Sequence, residues 1–266
     1  MSNEAKVIYT TSDKYGEIRV VEHAGERSLY LGSENKQSSM LIYSPFHLNL
    51  GYTRTMMAPL LFRKPPKRAL LLGLGGGSLA KYLYYKYPDC VIDVVELRKK
   101  VHRVAIDHFQ LPLSARLRVN IVDIHKYLQQ SSKQSAYDWI MIDAFNAEGL
   151  SSAVTSTDFL SQIHTLLDKQ GIISLNLWSS EDHTCENIVS SLTHQFEHNV
   201  LKLPVDRNEN NIYIAAKGDL LNTENSGLID RAKTLSKETG IDFENYLETL
   251  KSNNNKSWLD NIFSAN

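Results

Sequence analysis

Apolar positions recur with two different spacings through the middle of the chain. Short apolar runs bounded by turn residues are typical of buried strands, whereas apolar residues spaced three or four apart are typical of amphipathic helices. The predicted strands are Arg68–Leu72, Val91–Glu96, Leu117–Val122, Asp138–Ile142 and Ile172–Leu177. The predicted helices between them are Ser78–Tyr87, Lys99–Phe109, His125–Gln130 and Thr157–Leu167. Such alternation predicts an α/β fold with a parallel sheet covered by helices on both faces.

The two ends of the chain follow other patterns. Three short runs with partial alternation, Val7–Thr10, Glu17–Glu22 and Ser28–Leu31, predict a small antiparallel unit at residues 1–44. Leu50, Met57, Leu60 and Leu61 have helical spacing and predict a helix between Pro45 and Phe62. The main domain is predicted at 45–218, and its last strands are predicted at Asn199–Pro204 and Asn211–Ala216. Residues 219–266 are predicted as a helical extension whose apolar end is expected to dock on the body or a subunit; that end comprises Trp258, Leu259, Ile262 and Phe263.

Composition narrows the function classes. The chain has 266 residues, of which 42% are hydrophobic, so it has enough apolar material for a core. The formal net charge of −1 gives no global attraction to nucleic acid or to an anionic membrane. The basic stretch Arg63–Arg68 is interpreted as a solvated linker. His194 and His198 have no evident third ligand, so no metal site is predicted.

Cysteine content and the first residues bear on the compartment. Cys90 and Cys185 form neither a CxxC motif nor a disulfide framework. The start of the chain lacks the continuous apolar region of a signal peptide, and no apolar run is long enough to cross a bilayer. A cytoplasmic protein with no membrane partner is therefore expected.

A glycine-rich turn follows the first strand of the main domain. It comprises Gly73, Gly75, Gly76 and Gly77 and leads into a helix at Ser78. Glycines allow positive φ and close approach of the backbone to a ligand, and the free N–H groups of a helix start attract polar or anionic groups. Because Ser78 occupies the third glycine position of G-x-G-x-x-G, the turn is not a clean dinucleotide fingerprint.

Three carboxylates end three consecutive strands. Glu96, Asp123 and Asp143 each stand at or just after the end of a predicted strand. Open parallel sheets bind ligands at the carboxyl ends of their strands. Glu96 is placed to accept hydrogen bonds from ribose hydroxyls, and Asp123 is placed to accept one from an adenine amino group. The sequence therefore predicts a nucleoside site at this edge.

These segments resemble, in order, the motifs of the spermidine synthase and spermidine synthase-like family. They are LLLGLGGGSLAKYL, VVEL, VDIHKYL and DWIMIDAF, and the resemblance covers about Val7 to Lys217. It implies a Rossmann-like, class I methyltransferase-type twisted sheet behind a small N-terminal antiparallel β unit. It also implies aminopropyl transfer from decarboxylated S-adenosylmethionine, as co-substrate, to a small-molecule amine or polyamine, with no metal. Self-association, as a dimer, is the expectation that the family gives.

The resemblance also implies a role for single residues. Glu96 would bind the ribose, Asp123 with its neighbour Ile124 the adenine, and Gln37 the tail of the nucleoside. Asp143 would be the catalytic base, and Tyr52 lies where the family carries a tyrosine of the active site. The glycines of the turn, with Ser78, would complete the donor site.

Three departures from the family pattern leave alternatives open. Ser78 replaces an acid that pairs with the donor's amino tail and repels the carboxylate of S-adenosylmethionine. The segment after Asp143 lacks the family's second acid, for which Glu148 is a candidate substitute. Arg54 would oppose a cationic acceptor if it faced the site. Methyl transfer from S-adenosylmethionine and a non-catalytic nucleoside-binding role are therefore the alternatives.

Overall fold

A computed structural model describes residues 4–130, 136–146, 149–150, 154, 156, 158–178, 183–206, 210–218 and 227–254. The first four strands form an antiparallel meander in the order β1-β2-β3-β4. They are β1 (Lys6–Asp13), β2 (Gly16–His23), β3 (Glu26–Leu31) and β4 (Lys36–Leu41). Strand β4 was not predicted, because its sequence KQSSML has little of the β-branched and aromatic content of a strand.

The predicted helix between Pro45 and Phe62 is wrong in its extent. This segment forms a short helix α1 (Gly51–Thr55) followed by a 3-10 helix at Ala58–Leu61. Pro59, near the start of the second helix, has no backbone N–H to donate and restricts the residue before it. The apolar spacing was interpreted correctly as helical, but it belongs to two separate turns.

The main domain then alternates strands and helices as expected. Its first half comprises β5 (Arg68–Leu72), α2 (Ser78–Lys86), β6 (Val91–Glu96), α3 (Lys99–Phe109), β7 (Leu117–Ile121), α4 (Ile124–Gln130) and β8 (Tyr137–Ile142). Two-residue strands β9 (Phe145–Asn146) and β10 (Gly149–Leu150) follow. Its second half comprises α5 (Phe159–Leu166), β11 (Leu167–Trp178), α6 (His183–Gln195), β12 (Val200–Pro204) and β13 (Asn210–Ala216). Helix α6 was not among the predicted elements.

Seven strands form one mixed sheet in the order β12-β13-β11-β8-β5-β6-β7. The five strands from β11 to β7 pair in parallel, whereas β13 runs antiparallel to both of its neighbours. The predicted parallel sheet is confirmed for these five strands, whereas no direction was predicted for the last two. The connection from β12 to β13 holds only residues 205–209, which is too short for the crossover that a parallel pair needs.

The described tail is helical, as predicted, and packs onto the body. Helices α7 (Leu228–Thr239) and α8 (Phe243–Asn253) bury Leu228, Phe243 and Leu250 in the same core as the 3-10 helix. The predicted apolar stripe from Trp258 to Phe263 lies outside the described residues. Among the described helices, none has the length and hydrophobicity that a bilayer crossing requires.

The N-terminal unit is held against the sheet domain close to the carboxyl ends of its strands. Ile18, Val20 and Leu29 form a small core with Val101 and Phe109 of α3. This contact brings strand β4 beside the turn that follows β5. The sequence-predicted residues therefore meet where the two units join.

Candidate functional site

A cavity of about 490 Å³ lies at the carboxyl ends of β5 and β6, below the N-terminal unit. The sequence-predicted residues that line it are Gln37, Tyr52, Gly73, Gly75, Glu96, Asp123, Ile124 and Asp143. Gly76, Gly77 and Ser78 are not part of its lining. The structure thus brings the three carboxylates and the first half of the glycine turn together around one space.

Gly73 and Gly75 permit the close packing that shapes this cavity. Gly73 has φ of +102°, and a Cβ built on it would stand 2.2 Å from the carbonyl oxygen of Asp143. Gly75 has φ of +53°, and its Cβ would stand 2.5 Å from the Ser38 hydroxyl. A side chain at either position would clash, so glycine allows β8 and β4 to approach the turn.

The second half of the turn supports the site from behind. The N–H of Gly76 donates to the Ser38 hydroxyl at 2.8 Å, which ties the turn to β4. Gly77 begins α2 with φ of +77° and packs against Leu111. The Ser78 hydroxyl lies 3.4 Å from the carbonyl oxygen of Ser39 rather than at the cavity surface. These three residues hold the shape of the turn.

Glu96 is almost fully buried, with 8% of its surface exposed. Its carboxylate accepts from the backbone N–H groups of Leu74 at 3.2 Å and Arg98 at 2.7 Å. Burial raises the pKa of Glu96, while these two hydrogen bonds act in the opposite direction. The carboxylate is therefore fixed at the wall of the cavity, facing the glycine turn.

Asp123 precedes α4 and caps its start. One carboxylate oxygen, Oδ1, accepts from the N–H groups of His125 at 2.9 Å and Lys126 at 3.3 Å. Side chains of this kind satisfy the free N–H groups of a helix start. Both contacts use the same oxygen, and the residue with its neighbour Ile124 also lines the cavity. Asp123 thus combines a capping role with a position at the site.

Asp143 stands at the end of β8 with both carboxylate oxygens in hydrogen bonds. The Tyr52 hydroxyl donates to Oδ2 at 3.2 Å, and the Asn176 side-chain amide donates to Oδ1 at 2.9 Å. Burial raises the pKa of Asp143, and the two hydrogen bonds oppose that rise. Burial and the negative charge of Asp143 also raise the pKa of Tyr52, which keeps its phenol protonated. The pair is thus a carboxylate with a fixed donor beside it.

A second cavity, of about 550 Å³, meets the first at this pair. Gln37, Tyr52 and Asp143 line both cavities. The second cavity is further lined by Glu34, Asn35, Lys36, Leu50, Gly51, Asn176, Trp178 and Asn210. One carboxylate therefore faces two adjoining spaces, each of which has room for a small molecule.

The sequence analysis missed several residues of this site. Ser38, Arg98 and Tyr15 line the first cavity, and Asn176 and Asn210 line the second. The Arg98 guanidinium donates to Asp13 at 2.9 Å and so anchors the β1–β2 turn beside the cavity. The sequence offered one signal for two of these residues, which is that Ser38 and Arg98 lie within two positions of the predicted site residues Gln37 and Glu96.

Two residues mark departures from the family pattern, Arg54 and Glu148, and the structure describes the first of them. Arg54 lines neither cavity, because its guanidinium donates to the carbonyl oxygens of Leu48 at 2.9 Å and Asn49 at 2.6 Å. It therefore orders the loop before α1 and does not face the site. Glu148 lies outside the described residues. Within the described part of the chain, no group of three or more His, Cys, Asp or Glu side chains is close enough together to hold a metal ion.

The fold agrees with comparisons to known proteins. The chain is 32% identical over 241 residues to the polyamine aminopropyltransferase of Chromobacterium violaceum, covering 91% of this chain and 92% of that protein. A probable spermidine synthase from Corynebacterium glutamicum has the same fold, with a TM-score of 0.71 at 18% identity over 85% of this chain and 87% of that one. Human methyltransferase-like protein 13, solved with SAH, shares the fold with a TM-score of 0.63 at 24% identity, over 72% of this chain and 93% of that one.

The sequence profile described as spermine/spermidine synthase domain matches residues 49–217, which is more than half of the chain. This range includes Tyr52, the glycine turn and all three carboxylates. Because this profile matches more than half of the chain, and because the 32% identical aminopropyltransferase aligns with 91% of it, the chain belongs to the spermine/spermidine synthase family.

Proposed function

We propose that this chain transfers an aminopropyl group from decarboxylated S-adenosylmethionine to a small amine or polyamine. The observation that carries the proposal is the position of Asp143 between two adjoining cavities. A transferase of this kind holds a donor and an acceptor on either side of one base. The family and the 32% identical aminopropyltransferase support the same reaction.

The first cavity suits the nucleoside end of the donor. Glu96 is placed to accept hydrogen bonds from ribose hydroxyls, and Asp123 with Ile124 is placed to hold adenine. Gly73 and Gly75 line the cavity without side chains, so the donor can approach their backbone closely. Gln37 lines both cavities and would contact the donor's aminopropyl tail.

The second cavity suits the acceptor amine, and the chemistry follows from Asp143. The amine nitrogen attacks the donor carbon next to sulfur, so a C–N bond forms while the C–S bond breaks. The sulfonium leaves as a neutral thioether, and the nitrogen must lose a proton. Asp143 accepts that proton as general base, and its raised pKa brings it closer to the pH at which it works. Its negative charge also favours the cationic reactants.

Methyl transfer from S-adenosylmethionine is a second candidate, and Ser78 is the observation that favours it. The family's acid at this position repels the donor carboxylate, whereas the Ser78 hydroxyl carries no charge and points to Ser39. Among the described residues of the first cavity, Glu96, Asp123 and Asp143 are the carboxylates, and all three are assigned to other groups. The described lining of this cavity therefore holds no further acid that could discriminate against the carboxylate of S-adenosylmethionine.

Calorimetric titration tests the donor assignment. We expect decarboxylated S-adenosylmethionine to bind, and Glu96→Gln to weaken that binding at least tenfold, because the carboxamide has one acceptor oxygen in place of two and carries no charge. Lys99→Gln is the control, since Lys99 is exposed on α3 and lines neither cavity. Failure of the protein to bind either form of the donor would refute the proposal.

A further inference from the structure

Two buried asparagines extend the hydrogen bonding of Asp143 into the sheet. Asn176 of β11 and Asn210 of β13 have 2% and 6% of their surface exposed. The side-chain amide of Asn210 donates to Oδ1 of Asn176 at 2.8 Å, and the amide of Asn176 donates to Oδ1 of Asp143 at 2.9 Å. Both asparagines also line the second cavity. They form a chain of two carboxamides that ends on the carboxylate.

The direction of this chain depends on the charge of Asp143. An ionised carboxylate only accepts hydrogen bonds, so Asn176 must turn its NH₂ group towards Asp143. Its carbonyl oxygen then faces Asn210, which supplies an N–H. With Asn210 oriented as it is in the structure, reversal of Asn176 would place its oxygen against the carboxylate and its NH₂ against the NH₂ of Asn210. Unsatisfied buried polar groups are costly, so Asn210 holds Asn176 in the donating orientation.

We propose that Asn210 and Asn176 are positioning residues that reserve Oδ1 of Asp143 and leave Oδ2 as the oxygen that takes the proton. This inference rests on the proposed function of Asp143 as a base. A protonated Oδ1 is a weaker acceptor for the Asn176 amide than an ionised one, and Asn210 opposes the reversal that would let Asn176 accept from its O–H. The proton therefore goes to the other oxygen.

The contacts of Oδ2 fit this assignment. Oδ2 accepts from the Tyr52 hydroxyl at 3.2 Å, which is long for an O–H donor. The same hydroxyl lies 3.3 Å from the backbone carbonyl oxygen of Gln37, which is a second acceptor for it. When Oδ2 takes the substrate's proton, Tyr52 turns its O–H to Gln37, and no donor is lost. Among the contacts of the described residues, the Asn176 amide that donates to Oδ1 has no second acceptor to turn to.

Each bond change and the proton have a defined destination in this reaction. The acceptor nitrogen forms its bond to carbon while the C–S electron pair stays on sulfur. The proton of that nitrogen moves to Oδ2, and Asp143 becomes neutral. The carboxamides change neither charge nor orientation during the step, so their effect is confined to which oxygen reacts and to the pKa of Asp143.

The pH dependence of turnover tests the role of the two asparagines. Asn176→Leu removes a hydrogen bond to a charged acceptor, so the acidic limb of kcat/KM should move up by about one pH unit or more. Asn210→Leu should move it in the same direction by less, because Asn176 is still present but is free to reverse. If Asn210 acts through Asn176, adding Asn210→Leu to the Asn176→Leu variant should move the limb no further.

Asn211 provides the matched control. It follows Asn210 on β13, is equally buried at 7% exposure, and lines neither cavity. Successive side chains of a strand point to opposite faces, so Asn211→Leu should disturb the strand without moving the pH limb. The thermal midpoint of each variant, measured beside its profile, separates loss of fold from loss of positioning.

Two results overturn the inference: an Asn210→Leu limb that coincides with the wild type, or a further shift in the double variant. If the wild type transfers no aminopropyl group, the proposed function fails separately. The positioning role is then decided by carbon NMR titration of the Asp143 carboxyl. The role is supported if Asn210→Leu raises the pKa of Asp143 in the wild-type background but adds no further rise in the Asn176→Leu background. It is refuted if Asn210→Leu leaves the pKa of Asp143 unchanged.

Discussion

Replacement of Asp143 by asparagine tests its role as base with little change in shape. The introduced carboxamide would keep an oxygen where Oδ1 of Asp143 stands, so it can still accept from Asn176. Its NH₂ group would then face the Tyr52 hydroxyl, which can turn to the carbonyl oxygen of Gln37. The fold should therefore lose only about 1 kcal/mol, the net value of one hydrogen bond.

The effect on rate should be far larger than the effect on stability. An amide neither accepts the substrate's proton nor carries the charge that favours two cationic reactants. Positioned bases contribute about 10²- to 10⁴-fold to rate, so we expect kcat to fall about a thousandfold, which corresponds to about 4 kcal/mol. Donor affinity should change much less, because the ribose and adenine contacts remain.

The assay is steady-state turnover of decarboxylated S-adenosylmethionine with a saturating diamine, with product separated by chromatography. Asp123→Asn is the control, since its remaining oxygen can still cap α4 through His125 and Lys126. It should weaken donor binding while leaving kcat within a few-fold of the wild type. An Asp143→Asn enzyme with kcat within about threefold of the wild type would refute the assignment of the base.

Three further changes test the surroundings of the site. Tyr52→Phe removes the donor to Oδ2, and we expect a loss of about tenfold in kcat with a thermal midpoint lowered by only about 2–4 °C, measured by turnover and calorimetry; unaltered kcat would exclude a catalytic role for Tyr52. Burial lowers the pKa of Lys81 to about 7 from 10.5, so the unfolded chain binds a proton that the native state lacks between these values. The free energy of unfolding should therefore rise with pH there, by up to about 1.4 kcal/mol per unit, and urea unfolding of Lys81→Met should lack that rise. Burial would raise the pKa of Glu26, yet hydrogen bonds from Lys36, Ser28 and Ser39 lower it to about 2 from 4.5. This contribution is present above about pH 4.5 and is lost as the pH falls through 2, so acid titration of Glu26→Gln should show a weaker loss of stability in that window.

The sheet and its ligand-binding edge could be predicted because their signals are local. Arg68–Leu72 and Val91–Glu96 have the predicted bounds, since each is a short apolar run between polar or turn residues. Gly73 and Gly75 follow directly from the end of the first of these strands. The acids at strand ends needed only the rule that parallel strands end at the same edge.

The remainder depends on contacts between distant parts of the chain. Ser38 meets Gly76 across 38 positions, and Asn210 meets Asn176 across 34. Nothing local marks a polar residue such as Asn176 as buried, because its burial depends on partners from another strand. Ser78 shows the opposite case, since its position after the glycines predicted a site residue whereas its hydroxyl points to Ser39.

The reversal of the last strands also escaped the pattern. Apolar runs at Val200–Pro204 and Asn210–Ala216 identify two strands but carry no information about direction. The length of the connection between them does, because a few residues permit only a hairpin. Loop length was thus the signal that would have predicted β13 as antiparallel.

Transfer of an aminopropyl group is the reaction on which the proposed function depends. The most direct test incubates the purified protein with one diamine and either decarboxylated S-adenosylmethionine or S-adenosylmethionine, and identifies the product by mass spectrometry. We predict that the diamine gains an aminopropyl group from the decarboxylated donor and gains nothing from S-adenosylmethionine. A methylated diamine from S-adenosylmethionine, with no aminopropyl product from the other donor, would contradict aminopropyl transfer and support methyl transfer.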